Sequence, residues 1–326
     1  MNLVPPARRH LLSVADLDRA DVERLLDTAA GFESVMQRDV KKVPTLRGRT
    51  VVNVFFESST RTSSSFELAA KRLSADTVAL RSSGSSVDKG ETLQDTIRTI
   101  SAYDPDVIVI RHPLVGAPAI TARMTDAHVV NAGDGTHQHP TQCLLDLYTI
   151  RRGLGTVEGL HVAIVGDVLH SRVARSNIAG LLMMGASVTL IGPPALIPRG
   201  IEAMGVTVSY DIADVAAADV IYVLRMQRER MQEGANYVPS LREYAAMWGI
   251  SPARVRPGQL VMHPGPINRG VEISSAVADS AGSRIVDQVR AGLVVRMAVL
   301  YDLLSDPSGQ GAAATLRAVP AGLEVA

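Results

Sequence analysis

The sequence predicts an α/β protein of two α/β domains, each with a central largely parallel sheet flanked by helices. Three observations carry this. Short β-branched apolar segments alternate with segments of helical period, the strand candidates are continuous apolar runs, and 326 residues exceed what one core usually takes.

The elements follow in order. Val22, Leu25, Leu26, Ala29 and Met36 share one face and predict a helix over 21–36. The run TVVNVF (50–55) suits a buried strand. After SSTRTSS, the spacing of Phe66, Ala69, Ala70 and Leu73 predicts a second helix, completing a strand, polar turn and helix. A fainter repeat places strands at 77–80, 107–110 and 127–130, with a helix over 92–101.

The segment NAGDGTHQ (131–138) reads as a Gly- and Asp-rich loop. Pro140 suits the first turn of a helix predicted over 140–152 and ending at Gly153, which carries the chain from one domain to the other. Strands are then expected at 161–165, 187–191, 220–224 and 259–262, with helices near 172–184 and 240–247. An apolar stretch over 292–304, beginning somewhat earlier, predicts a closing helix. The segment 305–326 has weak periodicity with several Gly and Pro, so a loose tail without an arguable role is expected.

Lys plus Arg and Asp plus Glu are both 33, so nucleic acid has no general electrostatic handle, although a local arginine cluster can still hold a small anion. With Cys143 as the single cysteine, no intrachain disulfide or Cys-rich zinc site can form. No apolar run approaches a membrane span, and MNLVPPARRHLLS lacks the core of a signal peptide. The expectation is a soluble cytoplasmic chain that engages neither nucleic acid nor membrane.

Several residues admit two readings. Ser59-Thr60-Arg61-Thr62, between a strand and a helix, is either a phosphate cradle on a helix start or a Ser/Thr cap beside a surface arginine. His139 either packs at a helix start or acts in chemistry; Cys143, on the same helix, reads as core filling. Asp88-Lys89-Gly90-Glu91 reads as a polar surface loop. Gly166-Asp167 follows a strand but is not GxGxxG, which argues against NAD. Arg225, Arg228 and Arg230 could form a solvated charge run, and Pro264-Gly265-Pro266 a plain turn.

The segment FFESSTRTSSSFELAAKRL (55–73) resembles the carbamoyl phosphate signature of the aspartate and ornithine carbamoyltransferases. SSVDKGETLQDT, IRHP, GDGTHQHPTQCLLDLYTI, GDVLHSRVARSN, LRMQRERM and HPGPINRGVEI fit the same family in the same order, from about residue 50 to 275. The FELAAKRL ending and the absence of a Cys near HPGP resemble the aspartate branch.

The resemblance implies that Ser59, Thr60, Arg61 and Thr62 hold phosphate, with Arg61 the most costly to lose, and that Arg111 touches phosphate and carbonyl oxygen. His139 and Gln142 then contact the carbamoyl end, and the Gly265 and Pro266 backbone lies over the reacting group. Arg172, Arg225 and Gln227 match aspartate-binding residues, while Arg228 and Arg230 stay solvated. Ser85 and Lys89 match a loop that reaches the neighbouring subunit's site, Lys89 serving both substrates, which implies a homotrimer with shared sites. SSVDKGE lacks a second basic residue that some members carry before the lysine, so the register of Ser85 is looser than that of Lys89.

Arg61, Thr62, Lys89, Arg111 and His139 are the expected catalytic set, with no metal or organic cofactor. The division implied is a carbamoyl phosphate domain over 1–139, an interdomain helix over 140–152, an aspartate domain over 153–290, and a helix over 291–304 packing back on the first domain, before a tail over 305–326. The implied reaction belongs to pyrimidine biosynthesis, and the trimer either stands alone, joins a regulatory chain or is packaged with dihydroorotase.

Overall fold

The computed structural model describes residues 10–81, 90–227, 238 and 240–305. Ser85, Lys89, Arg228, Arg230 and the tail beyond Ser305 lie outside the described residues.

Each half of the chain forms a five-stranded sheet whose strand pairs are all parallel. The first contains β1 (His10–Leu11), β2 (Thr50–Phe55), β3 (Asp76–Arg81), β4 (Val107–His112) and β5 (His128–Asp134), in the order β1-β5-β4-β2-β3. The second contains β6 (His161–Val165), β7 (Ser187–Ile191), β8 (Thr207–Ser209), β9 (Val220–Val223) and β10 (Leu260–Met262), in the order β10-β9-β6-β7-β8. From β2 in the first sheet and β6 in the second, the chain builds outward in one direction and then crosses to the other side of that strand, with β1 at the far edge of the first sheet. This creates a switch point between β2 and β4, and another between β6 and β9. Crevices at the carboxyl ends of such strands are where open parallel sheets bind ligands.

The helices are α1 (Arg19–Met36), α2 (Thr60–Arg72), α3 (Leu93–Ser101), α4 (Ala117–Ala122), α5 (Pro140–Leu154), α6 (Arg172–Met183), α7 (Leu241–Trp248), α8 (Ser275–Ala278) and α9 (Ile285–Leu304). Several begin on side-chain caps that satisfy their first amides: Asp18 for α1, Ser59 for α2, Thr92 for α3 and Ser171 for α6.

The helix α5 departs from its expected end. It passes through Gly153 to Leu154 and stops at Gly155, whose left-handed backbone (φ 82°) donates to the Arg151 carbonyl at 2.8 Å. Gly153 sits against Leu260 with no positive φ, so it is a packing position rather than a stop. Every residue of α5 from Pro140 to Ile150 is buried, as expected of a helix with protein on all sides.

α9 starts at Ile285, six residues before 291, and packs against α1, α2 and α5. The strand β5 continues to Asp134, four residues past 130 and into the segment read as a loop. Asn131 Nδ2 and the Gln138 amide both donate to Asp134 Oδ1, at 2.9 and 3.0 Å, and hold that end in place.

One apolar cluster runs without a break from α1 and β2 through α5 and α9 to β6 and β7, and smaller clusters fill the remaining sheet faces. Cys143 is fully buried within it, as core filling requires. α5 and α6 meet so closely there that a Cβ at Gly180 would collide with its sulfur. The two halves therefore share apolar packing through α5 and α9, which sets the distance between their carboxyl-end crevices. No helix among the described residues is long and apolar enough to cross a membrane.

Candidate active site

A cavity of about 680 Å³ lies between the carboxyl ends of the two sheets. The expected site residues from both halves converge on it: Ser59, Thr60, Arg61, Thr62, Arg111, His139, Gln142, Arg172, Arg225, Gln227, Gly265 and Pro266. Ser85 and Lys89 fall outside the described residues, so their positions do not enter this geometry.

On the first side, β2 ends and α2 begins at Thr60, directing free amide groups and the positive helix end into the cavity. Ser59 Oγ accepts the Thr62 amide at 3.4 Å, so the capping reading of this serine also holds. Capping one amide leaves others for an anion. Arg61 projects from the first turn and pairs with no carboxylate among the described residues. Partial burial and the nearby charge of Arg225 lower its pKa, a shift that leaves a guanidinium charged.

Arg111 stands at the end of β4, beside β2, where its carbonyl accepts the Phe56 amide at 2.9 Å. His139 precedes α5 without capping it through its side chain, and its amide donates to Ser176 Oγ at 2.8 Å.

On the second side, Arg172 begins α6 and is buried, its guanidinium packed over Gly133. Asp167 at the end of β6 accepts the Gln227 amide at 3.1 Å and His170 Nδ1 at 2.8 Å, holding the segment that carries Arg225. The Gly166-Asp167 turn is thus a brace between strand ends.

Glu57 joins the two sides. Its Oε1 accepts from Arg111 Nη2 at 2.6 Å and from Arg172 Nη2. Burial pushes its pKa up, but the two guanidinium charges prevail and hold it below the ordinary glutamate value. Sequence reading passed over Glu57. The signal available was an acid inside an otherwise anion-binding turn, FFESSTR, which is out of place unless a cation from elsewhere meets it.

α9 contributes Gln288 and Arg296 to the cavity wall, and neither was anticipated. Arg296 lies over the Phe66 ring at 5.1 Å and donates from Nη1 to the Gly292 carbonyl at 3.1 Å. Burial, then the charge of Arg111, pushes its pKa down to about 10, with Asp146 opposing. It adds positive potential behind Arg111.

The loop after β10 closes the cavity. His263 Nδ1 accepts the Gly265 amide at 2.8 Å, which leaves the proton on Nε2, 3.2 Å from Glu272 Oε1. Burial lowers the His263 pKa more than Glu272 raises it, and Arg61 and Arg225 act in the same direction as burial, so the ring is a neutral bracket. The Gly265-Pro266 peptide is cis, and Gly265 has φ 66°.

A Cβ at Gly265 would lie 3.1 Å from both Cζ and Nε of Arg61. Gly265→Ala is therefore expected to cost roughly 1–2 kcal/mol for a left-handed alanine. It is also expected to lower kcat about tenfold or more by displacing Arg61. Thermal melting and steady-state rates measured on the same preparation check both, and wild-type kcat in a folded variant would count against the positioning of Arg61.

No group of three or more His, Cys, Asp or Glu side chains able to hold a metal occurs among the described residues. The cavity instead offers fixed cations and hydrogen-bond donors facing one another. That arrangement can take a phosphate on one side and carboxylates on the other, with uncharged donors between them.

Comparison with known proteins agrees with this division. Residues 9–152 match the family described as aspartate/ornithine carbamoyltransferase, carbamoyl-P binding domain, and residues 158–303 match its Asp/Orn binding domain. The chain is 57% identical over 303 residues to the aspartate carbamoyltransferase catalytic subunit of Salinispora arenicola, covering 91% of this chain and 98% of that one. It is 55% identical over 298 residues to that of Geobacter sulfurreducens, covering 90% and 95%.

Among solved structures it is similar to aspartate transcarbamoylase from Trypanosoma cruzi in complex with carbamoyl phosphate and aspartate. The TM-score is 0.83 at 32% identity, covering 92% of this chain and 98% of that one. It is also similar to the catalytic subunit of M. jannaschii aspartate transcarbamoylase, with TM-score 0.81 and 35% identity, covering 93% and 100%. The chain belongs to the aspartate/ornithine carbamoyltransferase family.

Proposed function

We propose that this chain is a carbamoyl-group transferase that joins carbamoyl phosphate to L-aspartate, yielding N-carbamoyl-L-aspartate and phosphate, a step of pyrimidine biosynthesis. The observation that carries the reading is one cavity in which a helix-start anion cradle with Arg61 and Arg111 faces Arg172 and Arg225. Two arginines suit the two carboxylates of aspartate. The ammonium of ornithine would meet like charges there.

Carbamoyl phosphate sits on the Ser59 to Thr62 turn and Arg111, and aspartate on Arg172, Arg225 and Gln227. The uncharged amine of aspartate forms the new C–N bond as the C–O bond to phosphate breaks, and the amine proton passes to the departing phosphate. Negative charge gathers on the carbonyl oxygen, where Arg61, Thr62, Arg111 and His139 donate. Donors aimed at that charge favour the transition state over the bound substrate. Gln142 and the Gly265 and Pro266 backbone hold the carbamoyl group in place. No cofactor takes part.

The direct test supplies carbamoyl phosphate with L-aspartate or L-ornithine in parallel. Product with aspartate alone is expected. Product with ornithine alone would overturn the aspartate side of the cavity and keep the phosphate side.

Ser85 and Lys89 complete the site from a neighbouring subunit in a homotrimer, with Lys89 closing over phosphate and aspartate. The chain works in the cytoplasm, its trimer either standing alone or joined to a regulatory chain or dihydroorotase. Mixing inactive Lys89→Ala and Arg61→Ala chains after dissociation should restore part of the activity. Each mixed trimer then contains one site that draws its intact Arg61 and its intact Lys89 from different chains. No recovery in properly reassembled trimers would mean that each site is built within one chain.

A further inference from the structure

Behind the cavity, the Asp146 carboxylate on α5 is 2% exposed and accepts four hydrogen bonds. Oδ1 takes Gln142 Nε2 at 3.1 Å and Gln288 Nε2 at 2.7 Å. Oδ2 takes Asn177 Nδ2 at 2.9 Å and the Tyr222 hydroxyl at 2.7 Å. A carboxylate has about four acceptor positions and no donor, so every neighbour must present a hydrogen to it.

That requirement decides how two amides of the cavity wall are turned. Gln142 must direct NH2 at Asp146, which leaves its carbonyl oxygen as the atom it can offer the cavity. Gln288 is turned the same way, and its carbonyl oxygen accepts the His263 amide at 2.9 Å, two residues from Gly265. An amide without such a partner offers either end, because oxygen and nitrogen are nearly the same size.

We propose that Asp146 is a positioning residue that sets the selectivity of the carbamoyl subsite, holding Gln142 as an acceptor toward the carbamoyl NH2 and, through Gln288, holding the 263–266 backbone beside it. The inference rests on the proposed carbamoyl transfer. Acetyl phosphate has nearly the same shape and charge but carries a methyl group where carbamoyl phosphate carries NH2. A fixed acceptor left facing a methyl group loses its hydrogen bond, so the subsite discriminates against it.

The test compares the affinities of the full chain for carbamoyl phosphate and acetyl phosphate in the wild type, Asp146→Ser and Tyr222→Phe. A serine hydroxyl, with the water that a smaller side chain admits, both donates and accepts. Gln288 stays turned by the His263 amide that its carbonyl oxygen accepts, but nothing then dictates which way Gln142 turns. Tyr222→Phe removes one bond on the far oxygen and leaves both glutamines held.

The expected result is that Asp146→Ser lowers the carbamoyl-to-acetyl affinity ratio about tenfold, as for loss of one uncharged hydrogen bond, while Tyr222→Phe keeps the wild-type ratio. An unchanged ratio in Asp146→Ser, equal weakening of both ligands, or an equal collapse in Tyr222→Phe would overturn the proposal and leave Asp146 a structural tie. Should Asp146→Ser not fold, Gln142→Met takes its place, with the same collapse expected and an unchanged ratio fatal. Wild-type chain that fails to bind carbamoyl phosphate would instead reject the transfer reaction itself.

Discussion

Arg61→Ala is expected to lower kcat by about a thousandfold in a chain that still folds. Both parts of that expectation come from where the side chain stands. Arg61 occupies the first turn of α2, opens into the cavity, and pairs with no carboxylate among the described residues, so its removal breaks no ion pair among them. In the proposed reaction its guanidinium meets the phosphate and the carbonyl oxygen, where charge accumulates as the C–N bond forms. Removal of a single donor to such an oxygen typically costs a factor of a hundred to a thousand, and Arg61 brings a full charge as well. Thermal melting should stay near wild type while single-turnover rates fall. A loss confined to KM would mean that Arg61 binds substrate and transition state equally.

Arg225→Ala is expected to act on the other substrate, raising the KM for aspartate about a hundredfold. Charge-assisted hydrogen bonds to a carboxylate contribute roughly 1.5–3 kcal/mol each, and a guanidinium can make two. Carbamoyl phosphate affinity should change by no more than about threefold, since the proposed seat of that ligand is on the opposite sheet. Removing Arg225 also relieves the repulsion that lowers the Arg61 pKa, which works against any loss on the phosphate side. Calorimetric titration with each substrate separates the effects. Equal loss of both affinities would mean that Arg225 organises the cavity as a whole.

Arg61 and Arg225 lie far apart in the chain and meet only across the cavity. Strands β2, β6 and β7 have the boundaries read from their β-branched runs, because a strand buried on both faces has an unbroken apolar signature. The strands β1 and β8, of two and three residues, are too short for any periodicity, and α4 has only six residues. The α5 end was misplaced because one glycine looks like another in sequence, whereas Gly155 has a positive φ and Gly153 faces Leu260.

In the cavity, Ser59 to Thr62, Arg111, His139, Gln142, Arg172, Arg225 and Gln227 were legible through family resemblance, and all line one wall or another. Glu57, Gln288 and Arg296 in its wall, and Asp146 behind it, were not. An acid is recognisable as a bridge only once Arg111 and Arg172 are known to meet, and a buried aspartate as a hub only once α5, α6, β9 and α9 are packed around it.

By itself, then, the sequence determined the alternation of strand and helix, the helix-start anion turn and the types of side chain available for chemistry. These depend on neighbours within a few residues, where periodicity and capping are set by local geometry. Tertiary structure alone decided the strand order, the two switch points and the meeting of the sheets' carboxyl ends across one cavity. It also turned the Gln142 and Gln288 amides, because a hydrogen bond is directional and its partner stood as many as 142 residues away along the chain.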